Sequence, residues 1–281
     1  MPVTIENLAH VYAPGTPFEK RAIEKINLTI KDGEFIGLIG HTGSGKSTLI
    51  QHINALMLPT EGKVIVNGID TSTPKSGLEI RKNVGLVFQY PEYQLFEETI
   101  EKDVAFGPKN LGIDEEEIRK RVHHALRLVG IDEQLFHQSP FDLSGGQKRR
   151  VAIAGVLAMK PNILILDEPS AGLDPAGRAE MRRLIKDIKN EGTTVIMVSH
   201  SMDDVSKMCD RIIVMNKGRI ALDGPPCEVF KHTELLESIH LGVPAASMLR
   251  ERLNKNGFDL PDDIYTIEEI KTAILEKLKR R

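Results

Sequence analysis

"GLIGHTGSGKST", residues 37–48, decides the fold. An apolar run enters it through Phe35, Ile36, Leu38 and Ile39, and a helix-forming run, "KSTLIQHINAL", leaves it. The intervening Gly40, His41, Thr42, Gly43, Ser44 and Gly45 form a glycine-rich turn between strand and helix. Glycines let successive backbone N–H groups point inward at phosphate oxygens, and the helix N-terminus adds positive dipole. Lys46 supplies a point charge to the β- and γ-phosphates, while the Ser47 hydroxyl is placed for Mg²⁺, with Thr48 beside it. Strand, loop and helix in this order predict a nucleotide phosphate cradle at the edge of an α/β core.

The rest of the chain reads outward from that cradle. "VTIENLAHVY", "AIEKINLTI", "EFIGLIG", "GKVIVNGID" and "VGLVFQ" alternate with turns as a strand-dominated lobe. From about 92 to 160 the β-branched runs vanish, and "DEEEIRKRVHHALRLVGI" puts Ile118, Val122, Ala125, Leu126 and Val129 on one helical face. Strands resume at "NILILDE" and "TTVIMVSH", continuous apolar runs of the kind buried on both faces of a parallel sheet. "PAGRAEMRRLIKDIKNEG" between them reads as the crossover helix of a βαβ unit. After residue 230, "TELLESIHL", "PAASMLRERLNKNG" and "IEEIKTAILEKLKRR" read as short amphipathic helices, the last with Ile267, Ile270, Ile274 and Leu278 on one face.

Composition bounds the function. Of 281 residues, 41% are hydrophobic and 27% charged, an ordinary globular balance, and the net charge of −3 gives no long-range reason to expect nucleic acid. Cys209 and Cys227 lie in no metal-ligand spacing and fit a reduced compartment. No apolar stretch reaches the roughly 18 to 20 residues that span a bilayer, so membrane association is expected through a partner. His123, His124 and His137 invite a metal reading, but adjacent helical positions point about 100° apart and do not converge on one ion.

Two further motifs extend the cradle. "ILILDEPS" carries Asp167 and Glu168 to the C-terminal end of a buried strand, where ligands collect in open α/β sheets. One carboxylate can serve hydrated Mg²⁺ and the other an attacking water. At 143–147, nearly a hundred residues on, stands "LSGGQ": Ser144, Gly145, Gly146 and Gln147 lead into a helix and form a second anion cradle. One chain thus holds two half-sites.

With these motifs in order, residues 1 to about 230 resemble the ATP-binding cassette (ABC) ATPases. The resemblance implies an α/β P-loop NTPase of ABC-ATPase type: a mixed core sheet, an antiparallel β subdomain, a helical subdomain (about 92–160), and here a C-terminal helical extension, 231–281. It implies that Tyr12 stacks on adenine and that Gln89 is the loop glutamine joining core to helical lobe. It makes Asp167 the Walker B aspartate, Glu168 the catalytic glutamate, and His200 in "IMVSH" the switch histidine. Asp174 in "SAGLD" is similar to the D-loop aspartate. ATP and Mg²⁺ are the implied ligands, with Ser47, Gln89 and Asp167 organising the ion. The family also implies a head-to-tail dimer in which one phosphate loop and the other subunit's LSGGQ grip one nucleotide.

"FQYPEYQLFEETIEKDVAFGPKNLG", residues 88–112, looks like the segment after the glutamine loop in energy-coupling factor ATPases of CbiO type. "RRVAIAGVLAM" and the C-terminal helices are similar to the second of two paralogous ATPases in that group. One phosphate loop and no sustained heptads weigh against the soluble translation and chromosome ATPases, the alternative class; another ABC transporter is the other alternative. The resemblance implies a peripheral protein on the cytoplasmic side of the cell membrane, a transmembrane coupling protein, and a substrate-binding membrane protein that captures a vitamin or transition-metal ion. Glu92 and Tyr93 are the candidate docking residues, with Phe96 expected to pack inward. The C-terminal helices are expected to meet a partner ATPase.

Overall fold

The computed structural model describes residues 2–261 and 264–279. Strands β1 (Val3–Tyr12) and β2 (Lys20–Ile30) pair antiparallel, and β3 (Phe35–Ile39) runs into the glycine-rich turn and helix α1 (Lys46–Ile53). Strands β4 (Glu61–Val66) and β5 (Ile69–Asp70) complete a first sheet of order β2-β1-β4-β5. Helix α2 (Ser76–Asn83), not anticipated from sequence, leads into β6 (Val84–Val87).

The helical lobe follows. A 3₁₀ turn at Pro91–Gln94 precedes α3 (Ile100–Asn110), α4 (Glu115–Leu128) and α5 (Gly145–Leu157). Helix α4 starts where its chemistry dictates: the Asp114 side chain accepts from the Glu117 N–H, and Glu115, Glu116 and Glu117 sit at the positive end of the dipole. It buries Ile118, Val122, Ala125 and Leu126, the face read from spacing.

The chain then returns to the core through β7 (Ile163–Asp167), α6 (Pro175–Asn190), β8 (Thr194–Val198), α7 (Met202–Met208), β9 (Arg211–Asn216) and β10 (Arg219–Gly224). The second sheet has order β10-β9-β3-β8-β7-β6, parallel except for edge strand β10. Strand β3 is buried along its whole length because it feeds two cores: Phe35 and Ile39 face the helical-lobe side, Ile36 and Leu38 the β-lobe side. Strand β8 splits the same way, Val195 and Met197 against Ile196 and Val198. The class expected from sequence, a mixed α/β core with an antiparallel β subdomain and a helical subdomain, is the one observed.

Helices α8 (Pro226–Val229), α9 (Thr233–Ser238), α10 (Ala245–Lys255) and α11 (Ile267–Lys279) end the chain. The main core does not stop at residue 230: Leu236, Ile239 and Leu241 belong to it. A separate small core of Ala246, Leu260, Ile264 and Ile270 begins only after Gly242. Of the stripe read on α11, Ile270 is buried while Ile267 and Leu278 are exposed. Arg280 and Arg281, which end the run read as the last helix, lie outside the described residues. Among the described residues no helix is long and apolar enough to cross a membrane.

Candidate active site

The parallel strands bring their C-terminal ends together. Strand pairing aligns Leu38 with Val198, Asp167 with Val198, and Val87 with Leu166, so the turn after β3, the carboxylates after β7, His200 after β8 and Gln89 after β6 share one edge.

The glycine-rich turn is closely constrained. Gly45 has φ 104°, and a Cβ there would lie 2.7 Å from Ile23 Cγ2; at Gly40 one would lie 2.5 Å from the Met215 carbonyl and the Ser44 hydroxyl. At Gly43 a Cβ would meet nothing within 4 Å. Lys46, buried, donates from Nζ to the Gly40 carbonyl at 2.6 Å and the His41 carbonyl at 3.2 Å. Burial lowers its pKa, an effect that Glu168 and Asp167 oppose. The Ser44 hydroxyl is buried without a hydrogen-bond partner. His41 Nε2 lies 3.1 Å from Asn216 Oδ1, and Ser47 and Thr42 are exposed.

A cleft of about 340 Å³ opens over this turn, lined by Gly43, Gly45, Lys46, Ser47, Thr48 and Tyr12 among others. Tyr12 donates to or accepts from Thr48 Oγ1 at 3.2 Å and stands edge-on to His10 with ring centres 4.6 Å apart. Lys20, Arg21 and Lys217 also line the cleft. Sequence reading missed these three because isolated surface cations on strand ends carry no pattern.

Asp167 and Glu168 are both largely enclosed. Burial raises the Asp167 pKa against the lowering pull of Lys46. Glu168 is pushed up to about 7, first by burial and also by Asp167, with a hydrogen bond from the His200 backbone and the charge of Lys46 opposing. Its backbone sits at φ 52°, and its N–H donates to the Val198 carbonyl at 3.0 Å. His200 Nε2 lies 3.3 Å from Glu168 Oε1 but out of line for a hydrogen bond, so that oxygen is buried without a donor. Burial, and then Lys46, lower the His200 pKa and favour the neutral ring near pH 7.

The residues fit a magnesium nucleotide. A buried ammonium without a hydrogen-bonded carboxylate, a glycine-rich turn and an exposed Ser47 lining the same cleft, and a carboxylate oxygen of Glu168 left without a donor are groups suited to phosphate and a hard cation. Among the described residues no group of three or more His, Cys, Asp or Glu could hold a metal. His123 and His137 lie 3.4 and 3.3 Å from Glu101, and His124 lies 3.5 Å from Glu191.

The second cradle stands apart. Ser144 caps α5, accepting from the Gln147 N–H, while Gln147 Oε1 accepts from the Ser144 N–H at 3.0 Å. Gly145 and Gly146 have nothing within 4 Å of where a Cβ would stand. A cleft of about 660 Å³ links Ser144, Gly146 and Gln147 to Asp174, which caps α6 by accepting from the Gly177 N–H at 2.7 Å. This cleft shares no lining residue with the one over the phosphate turn.

After Gln89, which is exposed, the chain turns through Tyr90 at φ 57° into Pro91–Gln94. Tyr93 is 85% exposed and projects from the surface. Phe96, expected to pack inward, is instead 56% exposed, its ring edge-on to the exposed Phe106 at 4.9 Å; Leu95 takes the buried position. Glu92 is bound within the chain: Arg149 donates from Nε at 3.0 Å and from Nη2 at 2.7 Å to its two oxygens. Burial raises the Glu92 pKa, but the Arg149 hydrogen bonds and charge bring it below the usual value. Sequence reading gave Arg149, the first residue of "RRVAIAGVLAM", no role of its own. The signal was there: Arg149 lies four residues before buried Ile153, on the inward stripe of α5.

A glycine-rich phosphate turn, a Walker-type carboxylate pair and a distant capped signature helix on this sheet order define a P-loop ATPase of the cassette class. Residues 23–171 match the ABC transporter family, and the chain belongs to it. Energy-coupling factor transporter ATP-binding protein EcfA2 of Clostridium perfringens is 58% identical, over 99% of both chains. The protein of the same description from Clostridium tetani is 58% identical, over 98% of this chain and 97% of its own. Among solved structures, cbiO1 of Clostridium perfringens, described as part of the ABC transporter complex cbiONQ, superposes with TM-score 0.75 at 41% identity, over 89% of this chain and 98% of that one. The cassette MJ0796, described as a dimeric post-hydrolysis state bound to ADP and Pi, superposes with TM-score 0.70 at 32% identity, over 80% and 98%.

Proposed function

We propose that this chain is the ATP-hydrolysing subunit of an energy-coupling factor importer, pairing head to tail with a second cassette ATPase. It lies on the cytoplasmic face of the cell membrane, bound to a transmembrane coupling protein, and powers uptake of a vitamin or transition-metal ion held by a separate substrate-binding membrane protein. The observation that carries this reading is the pair of anion cradles with no lining residue in common. Each is half of a nucleotide site, and a second chain supplies the other half.

The chemistry assigns itself by environment. Hydrolysis of a phosphoanhydride needs positioning and charge stabilisation more than covalent help. Lys46 neutralises charge on the terminal phosphates. Glu168, poised near neutrality, takes a proton from the attacking water, and neutral His200 donates to the γ-phosphate. Ser47, Gln89 and Asp167 would hold Mg²⁺, which supplies charge neutralisation to the β- and γ-oxygens when bound. Tyr12 offers its exposed ring face to adenine. Ser144, Gly145, Gly146 and Gln147 offer the α5 N-terminus to the partner's nucleotide, and Asp174 lies beside them at the dimer seam.

The exposed Tyr93, Phe96 and Phe106 form the apolar part of a docking face for the coupling protein, with Glu92 at its floor. Tyr93 is the cleaner probe, because changing Glu92 also breaks its tie to Arg149. Residues 1–242, with Leu236, Ile239 and Leu241 closing the main core, act as the nucleotide-binding unit, and 243–281 as an extension whose exposed Met248, Ile267 and Leu278 meet the second ATPase. The test is purification of the chain with its membrane and ATPase partners, scored with wild type and Tyr93→Glu. Retained ATP binding with loss of the membrane subunits supports the reading, and unchanged co-purification contradicts the docking assignment.

A further inference from the structure

Arg149 is 3% exposed, and four of its five N–H donors are committed. Nε and Nη2 take the two oxygens of Glu92, while Nη1 donates to the Ala171 carbonyl at 2.6 Å and the Pro169 carbonyl at 3.2 Å. The guanidinium also lies 5.8 Å from the centre of the Tyr90 ring. That ring's edge stands 3.9 Å from the point a Gly172 Cβ would occupy. Arg149 and Tyr90 therefore form a seat under Pro169–Gly172, the stretch that begins one residue after Glu168 and leads to Asp174.

We infer that Arg149 is a positioning residue for ATP hydrolysis, fixing the stretch behind Glu168 to the Pro91–Gln94 turn and to the signature helix. This rests on the assignment of Glu168 as the base. Few contacts orient Glu168: the His200 backbone reaches its carboxyl, its Oε1 has no donor, and its main chain is held by the Val198 carbonyl on one side and by the Ala171 N–H, donating to the Glu168 carbonyl at 3.0 Å, on the other. The Ala171 peptide is thus tied to Glu168 through its nitrogen and to Arg149 through its carbonyl. A planar fork can meet a carboxylate and two carbonyls at once; an ammonium is a point charge and cannot. Movement of the turn at Glu92 is passed through one side chain to the residue beside the base.

The alternative is that Arg149 only neutralises the half-buried Glu92 carboxylate. Arg149→Lys, which keeps the charge, and Arg149→Gln, which keeps hydrogen bonding, separate the two in the full complex with its partners. Three quantities are read: nucleotide affinity by a fluorescent ATP analogue, kcat for ATP hydrolysis, and amide exchange over residues 169–174. The expected result in either folded variant is a kcat lowered at least tenfold, nucleotide affinity within twofold of wild type, and at least tenfold faster exchange over 169–174 with the phosphate turn unchanged. Wild-type kcat in Arg149→Lys overturns the inference, and so does a parallel fall of affinity, kcat and global stability, which marks a merely structural role. Glu168→Gln is measured alongside. If that variant retains turnover, the assignment of the base has failed and the inference with it; if it is inactive while the Arg149 variants turn over normally, the inference alone has failed.

Discussion

Glu168 occupies a left-handed backbone position at φ 52°, with a carboxyl poised at about 7 and one oxygen facing His200 without a hydrogen bond. Strain of this kind in a non-glycine residue costs on the order of 1–3 kcal/mol and persists where the surroundings impose it. Glu168→Gln is expected to lower kcat at least ~100-fold, in the range typical of a general base, and to accumulate an ATP-bound dimer seen by light scattering. The raised pKa sets the sign of the pH dependence. A base must be deprotonated, so kcat/KM for ATP is expected to fall about tenfold per unit as pH drops below about 7 and to level off above it. A profile flat from pH 6 to 8 would remove Glu168 as the titrating base. At this scale the sequence was most informative where a residue type has a special task. Gly45 is glycine because of its φ and the approach of Ile23, and that requirement is written in the motif. Arg149 was opaque because its partners, Glu92 and the carbonyls of Pro169 and Ala171, are 20 to 57 residues away.

Elements were legible in proportion to their regularity. Helix α4 has its cap, its acidic first turn and one buried stripe, all local, and its face was read residue for residue. Leu126, fully buried on that face, is expected to cost about 2–5 kcal/mol of stability when changed to Ala, measured by denaturant unfolding. Phe96 was misread because it and its neighbour Leu95 do not both point inward. Leu95 fills the inward site, leaving Phe96 to stack on Phe106 at the surface. The exposed Phe96 and Phe106 rings are the basis of the docking face proposed for the coupling protein. Tyr93→Ala, at 85% exposure, is expected to change stability by less than about 0.5 kcal/mol yet to weaken co-purification of the coupling protein. Loss of stability in step with co-purification would instead mark Tyr93 as a packing residue.

For the whole molecule, two cores on either face of one sheet hold the nucleotide edge rigid, and a third, small core carries the C-terminal helices. A boundary near residue 230 follows from composition, but Leu236, Ile239 and Leu241 complete the main core, a long-range fact no local pattern announces. Truncation after Gly242 is therefore expected to keep nucleotide affinity and thermal stability while weakening ATPase pairing. Truncation after residue 230 is expected to lower the melting temperature as well, which calorimetry checks. The central claim, that this chain hydrolyses ATP for a membrane importer through a site shared between two subunits, is tested most directly in the purified complex. ATP hydrolysis at this chain's phosphate turn is measured in wild type and Glu168→Gln, with the bound membrane subunits scored in the same preparation. The account predicts that the membrane subunits stay bound in both and that hydrolysis at this site disappears in the variant. Wild-type hydrolysis by the variant, or a fully active wild-type chain that binds no membrane subunit, would contradict it.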